Sequence, residues 1–172
     1  MNVVFALRLA RRTRTVVRQN LWWALLYNAA CVPLAVAGYL PAWLAGLGHD
    51  VTDLGPDSDA SVDYPDYGYK LAEHLAAGKA LFGVALCGSG IGISIAVNRN
   101  PKVRCALVSE PLSAKLAREH NDANVVAMGA RLTGSDMAKA CIEAFLTTSF
   151  GGDRHVRRVD KLSNPPFARE TA

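Results

Sequence analysis

The stretch Ala85-Leu86-Cys87-Gly88-Ser89-Gly90-Ile91-Gly92-Ile93-Ser94 most constrains the fold, because an apolar run stops at a cysteine and passes through three glycines into a helical pattern. It reads as strand, tight loop and helix start. The preceding run, Ala80 to Leu86, is nearly continuously apolar, as expected of a parallel strand covered on both faces. Cys87 then falls at the carboxyl end of that strand, where open α/β sheets bind ligands. Gly88, Gly90 and Gly92 have no Cβ, so the chain can turn sharply and bring backbone N–H groups close to an oxygen-rich ligand. The loop fits a dinucleotide fingerprint only loosely: it runs Gly-x-Gly-x-Gly, and no acidic residue closes a following strand near the usual offset. Taken alone, it could equally be a Gly-rich turn beside a buried structural cysteine.

The pattern around this stretch alternates strand and helix. Trp43 to His49 reads as a helix end, residues 50–55 as a strand into a Pro-containing turn, and residues 57–63 as a polar loop. Tyr64-Pro65-Asp66-Tyr67 leads into a helix that ends at Gly78. After the Cys87 loop a helix runs through Val97, a strand is expected over residues 103–109, and a helix from Pro111 to about His120. Residues 124–129 form the last strand. Thr133-Gly134-Ser135-Asp136 reads as a capping box in which the Thr133 hydroxyl accepts a backbone N–H, with a helix to about Phe150. Gly151-Gly152 releases the chain into a charged segment, residues 153–161, that includes a short helix. Such alternation implies a parallel sheet with helices on both faces.

Charge narrows the partners. The formal net charge is +4, but Arg8, Arg11, Arg12, Arg14 and Arg18 have no acidic residue near them. Without them the chain is close to neutral, so a nucleic-acid face is not expected. Cys31, Cys87, Cys105 and Cys141 form no Cys-x-x-Cys pair and no dense disulfide framework, which points to a reducing, cytoplasmic compartment.

Several motifs in order, Cys87 to Asn98, Ser109-Glu110-Pro111, His120-Asn121-Asp122-Ala123-Asn124-Val125, Gly129-Ala130-Arg131 and Arg154-His155-Val156-Arg157-Arg158-Val159, resemble the type B ribose-5-phosphate isomerase family, which includes galactose-6-phosphate isomerases. The resemblance covers about residues 44–162. It implies a Rossmann-like three-layer sandwich, interconversion of ribose 5-phosphate and ribulose 5-phosphate, no cofactor, no metal, and a homodimer or homotetramer whose sites are built across two subunits. By the same resemblance Cys87 is the base that takes the proton beside the carbonyl. An ordinary thiol titrates near about 8.5, so the glycine loop and helix start must favour its thiolate. Family members without this cysteine use a glutamate a few residues later, where this chain has Ile93.

The remaining roles carry over residue by residue. Ser89 and the backbone of Gly88, Gly90 and Gly92 match the pocket for the enediolate oxygens. His120 matches the group that protonates the ring oxygen, and its imidazole suits proton transfer near neutrality. Asn121 and Tyr64 match residues at the sugar; Arg154 and Arg158 match the phosphate pair, with Arg131 and His155 as helpers.

Residues 1–43 depart from the family. They contain no Asp-His pair, which the family places at the end of its first strand for sugar binding and ring opening. The family's first strand is read here as replaced by a hydrophobic helical leader, and a catalytically impaired sugar-phosphate-binding domain is the alternative to an active enzyme. Residues 21–48 lack a formal charge and are long enough to cross a bilayer. A membrane anchor, a signal peptide ending near Ala35-Val36-Ala37, and a leader packed on the domain are the three readings. Residues 14–21 and 27–35 resemble a carboxyl-terminal membrane segment of heavy-metal P-type ATPases, without any other pump motif. Three parts are therefore expected: a leader over 1–43, an isomerase domain over 44–162 and a flexible tail over 163–172.

Overall fold

The computed structural model describes residues 39–56 and 61–166. Three strands, β1 (Gly83–Cys87), β2 (Cys105–Leu107) and β3 (Val125–Gly129), form a parallel sheet in the order β1-β3-β2. The helices are α1 (Tyr39–Gly46), α2 (Tyr64–Ala76), α3 (Ile91–Val97), α4 (Pro111–Asn121), α5 (Ser135–Thr147) and α6 (Val156–Ser163), with a 3₁₀ turn at Asp153–His155.

Side-chain alternation along the strands divides the core into two layers. Val84 and Leu86 of β1, with Val126 and Met128 of β3, face α4 and α5, where Ala114, Ala117, Ile142 and Phe145 are buried. Ala85 and Cys87, with Val125 and Ala127, face α2 and α3, meeting Ala72, Leu75, Ile93 and Val97. All five residues of β3 are buried, as a central strand covered on both faces requires. The three-layer α/β expectation is met.

Local differences have local causes. Residues 50–55 form no strand; the Asp53 carboxylate accepts the Gly55 N–H at 3.0 Å, which takes a donor that a ladder would need. β2 is three residues rather than seven, because the Val103 N–H turns to the Asn100 carbonyl and the Asn98 side-chain amide bonds both backbone groups of Cys105. Thr133 does not cap α5: Gly134 occupies the N-cap position, with no side-chain bond, and the Thr133 N–H is drawn to the Gly129 carbonyl. The helix ends at Thr147, where Thr148 turns extended.

Among the described residues no helix is long and apolar enough to cross a membrane. The described part of the charge-free stretch is residues 39–48, which include α1. Leu44 and Trp43 pack on the core around Phe145. The rest of the leader, including the pump-like segments and the proposed strand replacement, lies outside the described residues, as does most of the tail.

Candidate active site

The carboxyl edge of the sheet is built around β1 and β3, whose last residues, Cys87 and Gly129, pair. The ladder continues past them: the Ala130 N–H donates to the Cys87 carbonyl at 2.9 Å and the Arg131 N–H to the Gly88 carbonyl at 3.1 Å. Arg131 is thereby folded over the loop; a Cβ on Gly88 would stand 3.3 Å from its guanidinium carbon.

Gly90 turns the loop into α3 with φ +77°. A side chain there would meet the Met128 carbonyl carbon and the Gly129 nitrogen, so the turn needs glycine for both its angle and its closeness to β3. In this conformation the Gly90 N–H points at Cys87 Sγ, 3.1 Å away. The Ser89 hydroxyl accepts the Ile91 N–H at 3.3 Å. Gly92 lies under the ring of Tyr64, which closes one side of the loop. Cys87, Gly88, Ser89, Gly90, Gly92, Tyr64 and Arg131 thus form one cluster.

The other two described cysteines are chemically different. Burial pushes the Cys105 thiol up to about 12. Burial first, and then the negative charge of Glu110, raises that of Cys141.

His120, Asn121, Arg154 and Arg158 belong to the opposite edge. Helix α4 carries the chain back from the carboxyl edge, and Asn124, just after it, accepts the Gly83 N–H at the start of β1. From there β3 must climb about 13 Å to reach Gly129 beside Cys87. One chain therefore cannot bring His120 to its own Cys87 loop. At this amino edge the rings of His120 and His155 stack with centroids 4.4 Å apart. The Gly151 N–H donates to the Glu119 carbonyl at 2.8 Å, which fastens the Arg154 to Arg158 segment onto the end of α4.

The sequence reading missed what holds this second cluster. Asp122, at φ +46°, accepts from Arg104 and from Arg118, both at 2.7 Å. Arg118 is 8% exposed and sits over the Phe82 ring, 4.9 Å from its centre. The i,i+4 spacing of Arg118 and Asp122 was the available signal. A surface hollow at the start of α2, lined by Val62, Asp63, Asp66, Tyr67 and Lys70, contains none of the expected site residues.

A parallel α/β sandwich with a glycine-lined thiol at the carboxyl edge is an architecture suited to small anionic substrates. The chain belongs to the ribose/galactose isomerase family, whose model matches residues 34–162. That match takes in residues 34–43, which the motifs alone had assigned to the leader. The chain is 41% identical to ribose-5-phosphate isomerase B of Escherichia coli over 122 residues, covering 71% of this chain and 82% of the relative. Among solved structures, ribose-5-phosphate isomerase B of Clostridium thermocellum superposes with a TM-score of 0.76 at 36% identity, covering 81% of this chain and 93% of that one. The type B enzyme of Trypanosoma cruzi gives 0.72 at 41% identity, with coverage of 77% and 91%.

Proposed function

We propose that this protein is an aldose–ketose isomerase that interconverts ribose 5-phosphate and ribulose 5-phosphate, with Cys87 as the base. The observation that carries this reading is the Gly90 N–H held 3.1 Å from Cys87 Sγ within a glycine loop. The Cys87 thiolate takes the proton from C2 of the open-chain aldose and returns it to C1, while a proton passes between the two oxygens. Backbone N–H groups of the loop and the Ser89 hydroxyl stabilise the enediolate oxygens; one such donor is typically worth about 10² to 10³ in rate. His120 protonates the ring oxygen during opening, and Asn121 and Tyr64 hold the sugar. Arg154 and Arg158 grip the phosphate, assisted by Arg131.

The reading includes a second copy of the chain, because His120 and Cys87 lie at opposite edges of one sheet. Ile91 and Ile95, one turn apart on α3, are half exposed beside the Cys87 loop, and Leu107 and Leu112 are exposed nearby. An apolar surface of this kind suits an isologous partner. The His120 edge of one copy then serves the Cys87 loop of the other.

The test is conversion of ribose 5-phosphate by the purified full chain, with Cys87→Ala and His120→Ala as controls. Each variant alone is expected to be inactive. Reassembled as a mixture, they should regain about a quarter of the wild-type sites, since one site of a mixed dimer is intact. Normal turnover in Cys87→Ala overturns the chemistry, and no recovery on mixing overturns the shared site.

A second reading, a sugar-phosphate-binding domain without turnover, is favoured by one observation: residues 1–43 contain neither Asp nor His. Loss of an acid–base group typically costs about 10² to 10⁴ in rate. Thermal stabilisation by ribose 5-phosphate without conversion would select this reading.

A further inference from the structure

His120 and His155 come from different elements, the last turn of α4 and the 3₁₀ turn before α6. Their rings are nevertheless nearly parallel, with planes 7° apart. The Gly151 bond to Glu119 and the positive φ of Gly152 fold the second element back onto the first. On its other side, His155 meets the phosphate arm: Arg154 Nε donates to His155 Nε2 at 3.5 Å. That bond uses the lone pair at Nε2, which the neutral imidazole has and the imidazolium lacks.

The surroundings agree with that protonation state. Desolvation, and then the positive charges of His120, Arg154 and Arg158, lower the pKa of His155 below the ordinary imidazole value; Glu119 alone acts the other way. The Glu119 carboxylate lies 4.0 Å from His120 Nε2, so it faces the same pair. Two charged rings at this separation would repel, which disfavours a proton on His155.

Resting on the isomerase reading, we propose that His155 is a positioning residue that clamps the His120 ring by stacking and the Arg154 guanidinium by its Nε2, holding proton donor and phosphate anchor as one unit. Capture of the phosphate and orientation of the ring-opening group are then coupled through one side chain. The neutral form is complete above the ordinary imidazole range. As pH falls through the lowered value, His155 takes up a proton, loses its acceptor and repels both neighbours.

The test compares full-length wild type with His155→Ala and His155→Phe. His155→Ala is expected to lower kcat/KM by up to about 100-fold, the scale of a misplaced catalytic group. His155→Phe keeps a stacking ring without an acceptor, so kcat should recover while KM stays raised, and the acid limb should move to lower pH. In parallel, the His120 Cε1–H signal, assigned with His120→Gln, reports ring-current shift, and inorganic phosphate is titrated against it. In His155→Ala the shift should vanish and phosphate should bind more weakly. Unchanged kinetics, or an unmoved His120 signal together with unchanged phosphate binding, overturns the role of His155. If wild type does not turn over ribose 5-phosphate, the isomerase reading fails, and the signal and the phosphate titration still decide whether His155 holds His120 and the anion site together.

Discussion

The Tyr64 ring lies against the α-carbon of Gly92, so closely that a Cβ there would stand 2.5 Å from two ring carbons. Tyr64 begins α2 and Gly92 is in the first turn of α3, so this contact joins both helices to the Cys87 loop. The ring is about half exposed and can swing outward. Gly92→Ala should therefore displace Tyr64 without unfolding the protein. Stability should change by less than about 1 kcal/mol, since alanine favours the helix. KM for ribose 5-phosphate should rise as it does in Tyr64→Ala, and adding Gly92→Ala to Tyr64→Ala should have no further effect. Steady-state kinetics of the three variants check this; fully additive effects would refute the contact's role.

Gly90 offers no such escape. Its substituent would strike backbone atoms of Met128 and Gly129 as well as the Leu107 side chain, and its φ is positive. The left-handed conformation alone costs a non-glycine residue roughly 1–2 kcal/mol. Gly90→Ala should lower the unfolding free energy by more than about 2 kcal/mol and lose activity as well. Denaturant unfolding beside an activity assay measures both.

Selective alkylation distinguishes the thiols. Burial holds the protonated forms of Cys105 and Cys141, with Cys105 pushed up to about 12, whereas Cys87 receives a backbone N–H. Iodoacetamide at pH 7.5 should modify Cys87 ahead of the other two, and ribose 5-phosphate should protect it. Peptide mass spectrometry gives the order of labelling; Cys105 reacting first would contradict this account.

Asp122 bridges Arg104 and the largely buried Arg118 while ending α4 in the left-handed region. Asp122→Ala removes both bridges and leaves the Arg118 charge with fewer partners. The expected loss is about 1–3 kcal/mol, the cost of an unsatisfied polar group, moderated because Asp122 is one-third exposed. Asp122→Asn tolerates the backbone conformation and should lose less. Both should weaken catalysis through the neighbouring His120-Asn121 turn. Thermal melts and kcat are the readouts.

Local chemistry makes much of this legible in the sequence. The apolar run ending at Cys87, the three glycines and Pro111 after Glu110 name their own elements, because each depends on neighbours within a few residues. Glu110 even caps α4 through the N–H groups of Leu112 and Ser113. The differences were local in cause as well, set by hydrogen bonds that span two to four residues. Asp50 to Gly55 looked like a strand, and Thr133 looked like a cap; an Asx turn and the pull of the Gly129 carbonyl decided otherwise. Asp122 was only half legible as an anchor: Arg118 precedes it at i,i+4, but its other partner, Arg104, lies 18 residues away.

Hydrophobic periodicity and glycine stereochemistry act over short range, so the strand–loop–helix around Cys87 and the alternation that builds a parallel sheet are legible in the residues, while the family was implied by the resemblance of the motifs. Which functional residues can meet depends on the folded sheet. Parallel strands send Cys87 to one edge of the sheet, and the return helix sends His120 to the other. The order of motifs along a chain carries no information about that separation; the direction of each element in the folded sheet does.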